Sequence, residues 1–209
     1  RLKNFEWVKK KILELQKAEK ISHELMLSYS YLLLSKKNFN KGFDYFDARL
    51  KTNEFQKKNK YHYNIIKTLK KDGEFKINKN TLIIREQGVG DEILFSSIYN
   101  DLIKYNLSNV KIECDIRLLE IFNRSFNKNI FYPFGHYSSS SKKLQEFDNI
   151  LYAGSLTKYF RNKESDFNIE PYIKTSNKLD KKFCSILNQF NDKKKIGISW
   201  KSVFNIFGS

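Results

Sequence analysis

An acid at the mouth of a glycine turn is the most chemically informative feature of this chain. The run Thr81-Leu82-Ile83-Ile84-Arg85-Glu86-Gln87-Gly88-Val89-Gly90-Asp91-Glu92 reads as a short buried strand, a turn and the start of a helix. Gly88 and Gly90 are expected to take backbone angles closed to other residues and to let a ligand approach the main chain. Asp91 then falls in the first helical turn, where the dipole favours negative charge. A carboxylate fixed there is a candidate catalytic base. The same spacing suits a helix cap, and both readings of Asp91 stay open.

The elements that must position this run come from alternating apolar patterns. Strands are expected at 81–85, 110–114, 130–132, 149–153 and 195–200. Helices are expected at about 92–105, 117–126 and 179–190, with a loop over 133–145 that contains Ser138 to Ser141. Strands alternating with helices of this length predict right-handed crossovers and a parallel sheet. In such sheets the ligand crevice lies outside the carboxyl ends of the strands. That rule points to 87–91 and to Gly154-Ser155, and makes Ser155 a second candidate lining residue.

Before residue 53 the pattern is helical. Phe5, Val8, Ile12 and Leu15 share a face of an expected helix over 5–20; a second runs over 22–35, with Ser22 as N-cap, and a third over about 39–50. Short antiparallel helices joined by a turn such as Lys36-Lys37-Asn38 are the unit of a helical repeat array. Residues 53–80 are charged and lack a clear period. They read as a helix-containing linker with a turn at Lys71-Asp72-Gly73.

Composition narrows the classes. The 209 residues carry 39 Lys+Arg against 23 Asp+Glu, for a net charge of +16. The lysines are scattered and not clustered, which argues against a dedicated nucleic-acid face. No apolar run reaches the length of a membrane span, and no secretory signal opens the sequence, so a cytoplasmic protein is expected. Cys114 and Cys184 are the two cysteines, and with His23, His62 and His136 far apart no metal-ligand spacing is present.

Several motifs then combine. They are Gly42-Phe43 with Tyr45-Phe46-Asp47-Ala48-Arg49, Glu86 to Asp91, Arg117-Leu118 with Arg124-Ser125-Phe126, Phe147-Asp148 leading to Gly154-Ser155-Leu156, Pro171-Tyr172, and Gly197 to Trp200. In this order they resemble bacterial tetratricopeptide-repeat proteins fused to a glycosyltransferase-like region of the GT-B type. That group is related in fold to the heptosyltransferases and more remotely to the protein O-linked N-acetylglucosamine transferases. The loop Lys201-Ser202-Val203-Phe204 departs from the group's small, polar pattern.

The resemblance implies an α/β chain: the Rossmann-like N-terminal half of a GT-B fold, preceded by a short repeat-like helical segment. Its expected divisions are 1–52 for the helices, 53–80 for a helical linker, 81–200 for the Rossmann-like domain and 201–209 for the start of a hinge. On this reading the sequence is a fragment whose second, donor-binding domain is absent, and the fragment is inactive alone. The implied reaction moves a sugar from a nucleotide-sugar to a glycan or protein acceptor, without a metal or other cofactor. Asp91 occupies the position of the proposed base. Glu86 and Gln87 would bind acceptor hydroxyls, and Gly88 and Gly90 would leave room for acceptor or donor phosphate. Turn stabilisation is the alternative for all four. The helices would offer a surface for a protein partner, and a scaffold protein with a degenerate transferase domain is the competing reading.

Overall fold

The computed structural model describes residues 5–18, 20–59, 75, 79–105, 109–126, 128–167 and 170–198. Within them, β1 (Thr81–Ile84), β2 (Val110–Cys114), β3 (Phe131–Pro133) and β4 (Asn149–Tyr152) form a parallel sheet in the order β3-β2-β1-β4. Thr81 lies opposite both Val110 and Asn149. The sheet confirms the α/β, parallel expectation. β1 is central and apolar on both faces, as strands covered on both sides must be. Ile83 packs with Ile112, Cys114, Leu151, Tyr99 and Phe122 on one face. Leu82 and Ile84 pack with Ile150, Tyr152, Leu144 and Phe147 on the other. The chain steps outward from β1 to β3 and returns on the other side of β1 as β4, so the topological switch point lies between β1 and β4.

The crossovers differ in detail from the periodic reading. Between β1 and β2 the single helix expected at 92–105 is two, α5 (Val89–Ser96) and α6 (Tyr99–Tyr105). The break falls where Arg161 Nη2 donates to the Ser97 carbonyl at 2.8 Å, a stronger partner than the next turn would offer. α7 (Ile116–Phe126) links β2 to β3. The loop after β3 contains one short turn of helix, α8 (Ser141–Leu144).

The N-terminal helices are α1 (Phe5–Lys17), α2 (His23–Ser35) and α3 (Phe39–Phe46), followed by a 3-10 turn (Asp47–Lys51) and α4 (Asn53–Lys58). Ser22 caps α2, its side chain accepting from the Leu25 N–H at 3.2 Å. Ser30 donates to the Gly42 carbonyl at 2.7 Å, and a Cβ on Gly42 would come within 2.6 Å of Leu34 Cδ2. Gly42 therefore lets α2 and α3 touch backbone to side chain. The expected linker begins as α4; the turn at 71–73 lies outside the described residues.

Phe46 joins the main core and packs on Phe95 of α5, with ring centroids 6.4 Å apart. The helices and the sheet accordingly form one compact unit, Arg1–Lys174, and a second begins at Thr175. Taken by itself, the second carries α9 (Asn177–Leu187), capped by Ser176, and a short 3-10 turn (Asn188–Phe190). The strand expected from 195 does not form over 195–198, where no described residue pairs with the backbone. Residues 199–200, with Trp200, and the expected hinge at 201–209 lie outside the described residues. No described helix is long and apolar enough to cross a membrane.

Candidate functional site

The glycine turn lies at the carboxyl end of β1, as the switch-point rule requires. Its unusual backbone is not at a glycine. Gln87 has φ +62°, whereas Gly88 has φ −96° and Gly90 lies inside α5. The expectation that the glycines supply special angles is thus corrected: the left-handed residue is Gln87, at the price of the strain a Cβ brings there. Gly88 is the N-cap of α5, and its N–H donates to Asp91 Oδ2 at 3.1 Å. This pulls the helix start forward from the expected 92 to Val89. A Cβ on Gly90 would meet nothing within 4 Å, so internal packing does not require glycine there. Gln87 and Gly90 are exposed and Asp91 is half-buried. The Oδ2 atom carries Asp91's one hydrogen bond among the described residues, leaving Oδ1 uncommitted.

Glu86 and Ser155 point the other way, into the switch point, where Arg49 fills the space. Arg49 Nε and Nη2 donate to Glu86 Oε2 and Oε1 at 2.9 and 2.7 Å, a two-pronged pair that is almost wholly buried. Nη2 also donates to Ser155 Oγ at 3.1 Å, and Nη1 donates to Asp47 Oδ1 at 2.8 Å and to the Phe46 carbonyl at 3.2 Å. Ser155 Oγ donates to Asp47 Oδ1 at 2.6 Å, and Lys158 Nζ lies 2.8 Å from Asp47 Oδ2. The Gly154 N–H donates to Glu86 Oε1. A Cβ on Gly154 would lie 2.5 Å from Glu86 Oε1 and 2.8 Å from Arg49 Nη2, so this glycine is required by close approach. Two cations and two carboxylates balance in charge. Burial opposes the charged form of Asp47, but Arg49, Lys158 and Ser155 more than offset it and hold its pKa below the ordinary value. The Arg49 pKa is raised: burial works against it, and Glu86 and Asp47 outweigh burial. Both expected binding residues are therefore spent on an internal contact. The 3-10 turn that delivers Arg49 is 37 residues upstream of Glu86, and no local pattern in the sequence marks the pairing.

A second ionic cluster ties the turn to β2. Arg85 Nε lies 2.7 Å from Glu92 Oε1, Nη1 donates to Asp115 Oδ2 at 3.1 Å and Nη2 to the Gln87 carbonyl at 3.2 Å. Glu92 Oε2 accepts from the Asp115 N–H at 2.8 Å. Arg117 grips Asp115 through Nε and Nη2 at 2.8 and 2.9 Å. Those hydrogen bonds from Arg117 hold the Asp115 carboxyl well below the usual carboxylate range. Burial pushes Glu92 the other way, upward, despite Arg85.

Beyond the turn, Glu113 anchors the loop after β3. Its carboxylate accepts from the N–H groups of Tyr137 and Ser138 at 2.6 and 2.9 Å, and from Ser138 Oγ at 2.5 Å. His136 is exposed on that loop and stacks on Tyr132, centroids 5.0 Å apart. Burial raises the Cys114 thiol to about 12, and Cys184 is exposed and free. Among the described residues no group of three His, Cys, Asp or Glu is placed to hold a metal ion. Of the sequence-predicted site residues, the structure leaves Gln87, Gly88, Gly90 and Asp91 together at the surface and withdraws Glu86 and Ser155 into the core. Comparison with protein-family models, with curated proteins and with solved structures finds no match for this chain.

Proposed function

We propose that this chain is the acceptor-side part of a glycosyltransferase of GT-B type, moving a sugar from a nucleotide-sugar to an acceptor hydroxyl. Asp91 is the candidate base and the glycine turn the floor of the site. The observation that carries the reading is the turn itself. It stands at the carboxyl end of β1 with Gly90 exposed and unneeded by the fold, beside a carboxylate with one uncommitted oxygen. Inverting transfer requires such an acceptor of the hydroxyl proton, and the neighbouring first-turn N–H groups suit a phosphate or a developing negative charge. The donor nucleotide-sugar would be held mainly by a second domain outside these residues. The helices remain candidates for a protein contact.

A scaffold reading, with a degenerate transferase domain, has one observation in its favour. Glu86 and Ser155, at the switch point, are consumed by Arg49. One experiment separates the two: nucleotide-sugar turnover by the longest natural chain carrying these residues, beside Asp91→Asn. The transferase reading expects a loss of about 10²–10⁴-fold with folding retained. No turnover of any common donor by the unsubstituted chain selects the scaffold.

A further inference from the structure

We infer that Arg49 is a positioning residue, through which the helical segment fixes the conformation of the glycine turn. The inference rests on the reading of that turn as the acceptor site. Gln87 occupies the left-handed region without being glycine, and such a residue persists only where its surroundings over-determine it. Three ties do so. Glu86, immediately before it, is held at both oxygens by Arg49. The Gln87 carbonyl accepts from Arg85. Gly88, immediately after it, is held by Asp91. The ties from Arg85 and Asp91 are local to the turn and its neighbouring strand end, whereas the tie from Arg49 reaches in from another element. Arg49 also binds Ser155, while Gly154 donates to Glu86, so the same guanidinium joins the turns that follow β1 and β4. Its Cζ lies over the Phe46 ring, 4.2 Å from the centroid, and Phe46 packs on Phe95 in the helix that the glycine turn opens. Packing of the 3-10 turn at Asp47–Lys51 thus sets where Gln87, Gly90 and Asp91 stand. A planar fork is needed for this: Arg49 makes five hydrogen bonds, to Glu86, Ser155, Asp47 and the Phe46 carbonyl, and lysine has three donors on one nitrogen.

The test is amide hydrogen exchange in Arg49→Lys, with Glu86→Gln as a second variant that preserves shape. The readouts are the Gly88 amide, bonded to Asp91, and the Glu92 amide, bonded to the Gly88 carbonyl at 3.0 Å. Neither touches Arg49. The references are the Thr81 and Ile112 amides of the sheet, bonded to Asn109 and Ile130. Positioning expects the two turn amides to exchange at least about tenfold faster while the sheet amides keep their rates, as local opening does. Equal acceleration at all four reduces Arg49 to a general stabiliser and overturns the inference; so does no acceleration at any. In the longest natural chain, transfer by Arg49→Lys should lose kcat/KM mainly through a raised acceptor KM. Turn amides that loosen in a chain without transferase activity uphold the positioning and reject the transferase. Unmoved turn amides with full activity do the reverse.

Discussion

Glu113 offers the most quantitative test of how the fold is held. It lies on the face of β2 opposite Val110, Ile112 and Cys114 and is fully buried, with no cation as partner among the described residues. Its charge is carried by three donors from the loop after β3. Glu113→Leu is close in volume but leaves those donors without an acceptor. A buried unsatisfied donor costs about 1–3 kcal/mol. Ser138 is fully buried and Tyr137 half-buried, so the Ser138 groups bear the larger share. Relief of the buried carboxylate's desolvation offsets part of the loss, which leaves a net destabilisation of about 2–4 kcal/mol. Glu113→Gln keeps one oxygen for the two N–H groups, and the Ser138 hydroxyl can turn to accept from the new amide. Its penalty should be about 1 kcal/mol. Urea unfolding followed by circular dichroism reads both as midpoint shifts at constant slope. A leucine variant within about 0.5 kcal/mol of the parent, the range of an ordinary surface change, would refute the account. So would equal penalties for Leu and Gln.

Three further outcomes follow from the same geometry. Gln87→Gly should be neutral or stabilising by up to about 1 kcal/mol in urea melts, and Gln87→Val destabilising, because φ is positive at this residue. Gly154→Ala should cost about 2 kcal/mol or more, since its Cβ would meet Glu86, Arg49 and, at 3.0 Å, Phe95 Cζ, all held in place by packing. Stability should also fall in acid: Asp115 and Asp47 have folded pKa values below their ordinary 3.8, so the stability they confer is present above that value and lost as pH drops beneath it. Glu92, raised by burial, acts in the opposite sense, its contribution weakening as pH climbs through its raised value. Asp115→Asn should flatten the acid limb of a plot of urea midpoint against pH, and an unchanged limb would reject the assignment.

What the sequence discloses depends on whether the cause is local. β2 is legible to the residue because a strand bounded by polar turns shows its ends, and Ser22 caps its helix by a contact three residues away, whereas the helix expected from 179 begins at Asn177, after a cap at Ser176. β3 is displaced by one residue from its expected place, since Pro133 can end an edge strand at low cost. The start of α5 was misplaced because glycines read as turn, whereas Gly88 and Asp91 make a cap and the helix follows at once. In the sequence Arg49 shows as the last residue of the motif Tyr45-Phe46-Asp47-Ala48-Arg49, with nothing to say what it binds. Its partners lie 37 and 106 residues away, and no periodicity carries information over such distances. The same holds for Ser155, whose place at the end of β4 was foreseen while its burial was not.

The two readings of Asp91 are not exclusive, and that decides how they must be separated. A carboxylate has two oxygens: capping engages Oδ2, and Oδ1 remains for a hydroxyl proton. Asp91→Ala would remove both functions and so could not tell lost chemistry from a frayed α5. Asp91 is the third residue of α5 and Gly88 its N-cap, so asparagine keeps the reciprocal contact, its amide oxygen taking the place of Oδ2 against the Gly88 N–H. What asparagine cannot do is accept a proton. A fold that melts unchanged in Asp91→Asn, together with turnover reduced by about 10²–10⁴-fold, assigns the base. Equal turnover in the two proteins leaves Asp91 as the cap that the hydrogen bond already makes it. The substitution is informative because the structural contact survives it.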